Sequence, residues 1–208
     1  MNLLVDYFRA GGPLMVPLCL LCFAIWLWIL MLYPRLSRAC ATSRKMQRLL
    51  HGLAPGEVRE TVGAWAEGNP GLVARVARYA VAGELEAGAV RDRIAEARLA
   101  EVPPFQRELG ILRGMVAAAP LLGLLGTVKG MIAGFFILST RGAASIDLLS
   151  HGISEALVTT QVGLVVALPG FAAAYAIARR LRELEVILDR FESHLLVSLS
   201  GRRAGEDA

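Results

Sequence analysis

The feature that most limits what this chain can fold into is PLMVPLCLLCFAIWLWILMLY, residues 13–33, which carries no charged side chain. About twenty residues of helix, rising ~1.5 Å each, cross a hydrocarbon layer of roughly 30 Å. A cleaved leader would need a basic start, a shorter apolar core and a small-residue cleavage site, and none is evident. Trp26, Trp28 and Tyr33 sit toward the far end, where an aromatic belt belongs. The run predicts a membrane-crossing helix.

Charge then orients it. Arg35, Arg38, Arg44, Lys45 and Arg48 follow the run, against Arg9 alone before it. The positive-inside bias puts residues 1–12 outside, in a periplasmic segment, and residue 34 onward in the cytoplasm. The net charge is +4. Its basic residues lie beside apolar runs without interleaved aromatics, which argues for topology and against nucleic acid.

Two further spans follow. One is expected over 109–138 and the other over 148–178, joined by the short polar loop 139–147. Arg179, Arg180 and Arg182 mark a return to the cytoplasm, so the chain reads as an all-α integral membrane protein with three spans. Cytoplasmic helical extensions are expected over 34–108 and 179–208. The region 35–108 is too long for a turn and too small for a rich core of its own. In it, Asn69 is expected to cap a helix over 71–83 with Pro70 at its first position. Arg91, Asp92, Arg93, Glu96, Arg98 and Glu101 are expected to pair three and four apart along a helix over 89–102. Pro103 and Pro104 should break or kink the chain before the second span. Leu181, Leu184, Leu188, Phe191 and Leu195 form a stripe expected to pack against other copies of the chain, in preference to a membrane surface.

Function must come from the polar groups. Gly110 and Gly114, then Gly126, Gly130 and Gly134, recur at four-residue spacing and predict close approach of another helix. Pro120 should add a bend. Lys129 and Glu155 are the charged residues deep in these two spans, where ionisable groups are costly. If the hairpin folds about Gly142, Lys129 stands thirteen residues before that point and Glu155 thirteen after. They then share one height, with Thr127, Thr159 and Thr160 slightly deeper. At ~100° per residue, Thr127 and Lys129 point to opposite sides of their helix, and Thr160 lies about 140° from Glu155. Such a layer serves either a proton or cation path, or hydrogen bonds and a Lys129–Glu155 ion pair that lock an assembly. The spacing leaves both open.

Other chemistry finds no support. Cys19 and Cys22 lie inside the first apolar run, with no acid or histidine near, and read as small apolar side chains. Cys40 stands alone, and His51, His151 and His194 are scattered. No catalytic set, cofactor motif or metal cluster is expected.

GGPLMVPL (11–18), APLLGLLGTVKGM (119–131) and GISEALVTTQVGLVVALPG (152–170) together resemble the MotA/TolQ/ExbB proton-channel family. The opening is most similar to the ExbB branch, and three spans instead of four separate it from MotA. The resemblance implies a bacterial inner-membrane stator of several copies, typically five, around an ExbD-like single-span partner that supplies a membrane aspartate. It implies that proton flow energises a TonB-like protein and outer-membrane uptake. It carries Thr127, Glu155 and Thr160 over as proton-path residues. Lys129 departs from the family pattern, and an outward position between copies is expected for it. A TolQ-like envelope role and a non-conducting membrane scaffold are the alternatives.

Overall fold

The computed structural model describes residues 11–50, 58–69, 71–82, 86–141 and 146–206. The expectations for 1–10, for His51 and Pro70, and for the centre of the 139–147 loop lie outside them. Among the described residues six helices follow in order: α1 (Met15–Leu50), α2 (Val58–Gly68), α3 (Leu72–Val81), α4 (Ala87–Glu101), α5 (Pro103–Arg141) and α6 (Ile146–Glu206). No strand occurs among the described residues. Segments Met15–Thr42, Gly88–Thr140 and Ser150–Val197 contain stretches long and apolar enough to cross a membrane. The protein is an all-α membrane protein with three such helices. α1, α5 and α6 continue through Pro34, Pro120 and Pro169 respectively.

The chain divides into two compact units. One comprises residues 1–30 with 110–175, the other 31–109 with 176–208. In the first, Met15 and Leu18 of α1 pack with Ala119 of α5 and Ala167 of α6, joined by Leu21, Leu122, Val162 and Val166. Large apolar side chains on the outer faces, among them Phe23, Leu30, Leu124, Phe136 and Leu168, stay exposed. A soluble protein would bury them; a bilayer has no reason to.

The second unit corrects three expectations. First, the stripe Leu181, Leu184, Leu188, Phe191 and Leu195 is buried within this one chain, each residue 5% exposed or less. The end of α6 lies in one compact unit with residues 31–109, so the stripe is spent inside the protomer. Second, Asn69 does not start α3. Its Nδ2 donates to Trp65 O at 2.8 Å, closing the end of α2, and α3 begins after Gly71 at φ 130°. A side-chain amide reaches back to orphan carbonyls as readily as a side-chain oxygen caps forward. Third, the charges of α4 reach other helices. Arg98 pairs with Asp189 at 2.6 Å and Glu192 at 3.3 Å, Arg91 with Glu192 at 3.8 Å, and Glu101 with Arg75. Once α3 and α6 lie alongside, charges on them compete with neighbours on the same helix.

The proline pair does break the chain. α4 ends at Glu101, Val102 N–H donates to Arg98 O at 3.0 Å, and α5 opens on Pro103, whose missing N–H is harmless there. Arg35 Nη1 then holds both oxygens of Glu108, at 2.9 and 3.1 Å, tying α1 to the first turns of α5. Arg180 lies over the Tyr33 ring, 4.9 Å from its centroid, and donates to the Tyr33 hydroxyl at 3.0 Å.

Candidate functional site: the polar layer of the α5–α6 hairpin

Without side chains in the way, two backbones can touch, and α5 and α6 do. Gly123, Gly126, Gly130 and Gly134 of α5 are buried, as are Ala156, Thr159, Gly163 and Gly170 of α6. A Cβ on Gly130 would stand 2.8 Å from Gly152 O and 2.9 Å from the Ala156 Cβ. One on Gly163 would stand 2.8 Å from Ala119 O, and one on Gly126 would collide with the Thr159 hydroxyl. The contacts recur in steps of three and four on both helices, the spacing that keeps small residues on one helix face. Gly110 and Gly114 face open space, so the four-residue repeat does not extend to them. Gly123, Gly152 and Gly163 take part instead. Folding the hairpin about residue 142 and matching small residues at equal height would have found them.

This register levels the polar groups. Gly130 opposes Gly152 and Ala156, and Gly126 opposes Thr159, so Lys129 and Glu155 do stand at one height. The layer as a whole does not share one surface. Val162 and Val166 of α6 pack against the α1 cluster, and on the helical wheel they fall on the flank of Glu155. Thr160, about 140° round from Glu155, falls on the flank away from α1. On α5, Leu122 touches the α1 cluster and Thr127, again about 140° round, takes the far flank. The layer is therefore sorted: Thr127 and Thr160 on one side, Glu155 toward α1, and Thr159 sealed between the helices.

Each threonine hydroxyl of the layer has an acceptor. Thr160 donates to Gly123 O across the hairpin at 3.0 Å. Thr127 donates to Leu124 O at 2.7 Å on its own helix and is half-buried. Thr159, 2% exposed, donates to Ala156 O at 2.8 Å. Bonds to carbonyls of the same helix satisfy a hydroxyl in an apolar setting without a second partner. The Glu155 carboxylate lies over Gly12, just before α1. Lys129 is exposed, and no Lys129–Glu155 pair occurs among the described ion pairs of a single protomer.

Three apolar helices carry an embedded, sorted layer of hydroxyl and charged groups, an arrangement that suits ion passage or helix assembly. The sequence profile of the MotA/TolQ/ExbB proton channel family matches residues 69–190, more than half of the chain. The chain belongs to that family. Over 80 residues it is 40% identical to the putative biopolymer transport protein ExbB-like 3 of Synechocystis, covering 38% of each chain. Over 77 residues it is 34% identical to the biopolymer transport protein ExbB of Aquifex aeolicus, covering 37% of this chain and 52% of that one. Similarity also reaches the Tol-Pal system protein TolQ of Haemophilus influenzae, 31% over 85 residues, 41% of this chain and 37% of that one. The chain thus spans from about a third to a half of the length of these relatives.

Proposed function

We propose that this chain is the channel-wall subunit of an ExbB–ExbD type motor in a bacterial inner membrane, with its amino terminus outside. Proton flow past the wall energises a TonB-like protein and, through it, outer-membrane uptake. Several copies, five by resemblance, surround an ExbD-like helix whose aspartate takes the proton. The observation that carries the reading is the pairing of Thr127 and Thr160 on the hairpin flank away from α1. A wall facing a narrow hydrated path needs hydroxyls, which hold water without binding an ion tightly. Glu155 contributes the negative charge at that height, since no other acid occurs in 109–138 or 148–178. Lys129 lies on the opposite side of α5 from Thr127, so its fixed positive charge stays out of the path.

The test is proton uptake by the complete complex in proteoliposomes. Thr160→Val and Glu155→Gln are each expected to lower uptake per complex by about tenfold or more, a barrier change of roughly 1.4 kcal/mol. If both leave uptake and TonB-dependent growth intact, the protein is a scaffold and not a channel wall. The likeness to TolQ favours one second reading, an envelope motor of the Tol-Pal kind. Loss of envelope integrity in a deletion strain that still grows on iron chelates would select it.

A further inference from the structure

Gly11 and Gly12 precede α1, and the two are not equivalent. Gly12 adopts φ 63°, in the left-handed region that a side chain disfavours. Its carbonyl accepts the N–H of Met15 at 3.1 Å and so opens α1. A Cβ built on Gly12 would overlap Oε1 and the carboxyl carbon of Glu155 and stand 3.1 Å from its Cγ. A Cβ on Gly11 would meet only the side chain of Met15, which can move. The acid of α6 is therefore seated directly on the backbone that starts α1. The first peptide N–H groups of a helix lack partners in the helix and favour negative charge beside them.

We propose that Gly12 is a positioning residue for Glu155: its missing side chain admits the carboxylate to the first turn of α1. That contact fixes where the one acid of the hairpin spans sits, and couples the first span to the third. It rests on the reading of Glu155 as part of the proton path. The charged group facing this height from α5 is Lys129, which is exposed. Any side chain at position 12 pushes the carboxylate off its seat, while one at position 11 does not.

The complete complex in proteoliposomes tests this. Gly12→Ala is expected to lower uptake per complex by about tenfold, as Glu155→Gln does, and to shift the pH profile of uptake. Gly11→Ala is expected to stay within about twofold of the unaltered protein. Glu155→Asp in the Gly12→Ala background withdraws the carboxylate by one methylene and is expected to restore most of the loss. Full uptake by Gly12→Ala, or no recovery in the double variant, overturns the proposal, the latter because backbone strain alone would then explain the defect. A separate arm does not depend on conduction. With Cys19, Cys22 and Cys40 replaced by alanine, Gly12→Cys with Glu155→Cys is expected to form an intramolecular disulfide on mild oxidation, read by mass spectrometry. Absence of that bond overturns the contact. Its presence in a complex whose unaltered form conducts nothing keeps the contact and discards the channel reading instead.

Discussion

Thr159 and Thr160 are adjacent, yet they do different work. Thr159 fills the space that Gly126 leaves, and its hydroxyl bonds within α6. Thr160 reaches Gly123 O on the other helix. Thr159→Val keeps the volume and should change thermal stability in detergent little. Gly126→Val inserts atoms where Thr159 already sits and should destabilise by about 1–3 kcal/mol. The comparison also guards the test of conduction. An interhelical hydrogen bond in a membrane protein is worth ~0.6 kcal/mol on average, so Thr160→Val should leave the complex assembled while its flux falls.

At the scale of elements, the end of α6 is the part whose role changed most between sequence and structure. Leu184 and Leu188 are fully buried in the unit formed by 31–109 with 176–208. Leu188→Ala should cost roughly 2–5 kcal/mol of stability, seen as a lower melting temperature with copy number unchanged. A stripe that packed between copies would show the reverse. α3 and α4 offer a pH test. Tyr79 donates to Glu96 at 2.9 Å, and that bond first, then the charge of Glu96, push the phenol above its ordinary 10.0. A pKa raised on folding adds stability below the unfolded value and loses it as pH rises through the folded one. Tyr79→Phe should thus be slightly less stable at neutral pH, and the difference should vanish in strong alkali. Because Tyr79 is exposed, the effect will be small.

For the whole molecule, the question is what covers Lys129. An ammonium at that depth on an exposed apolar face is costly in lipid, and an acid of another copy would relieve it. Lys129→Met should therefore weaken the assembled complex, measured by native mass spectrometry, more than it lowers proton flux per complex. Intact assembly with depressed flux would place Lys129 in the path instead.

The sequence by itself determined the three spans and the break at Pro103, because uncharged length and missing N–H groups act locally. It also set the common height of Lys129 and Glu155, because helical rise is uniform. Only tertiary structure decided which flank each polar group takes, since that depends on where α1 lies against the hairpin. The same holds for the apolar stripe of α6, which any partner of matching shape would bury: its own chain supplied one first. Asn69 and the charges of α4 had several partners within reach, and packing chose among bonds of nearly equal worth. Gly12 shows the limit most plainly. A glycine pair before a span is an unremarkable turn until the acid from 143 residues onward arrives on top of it.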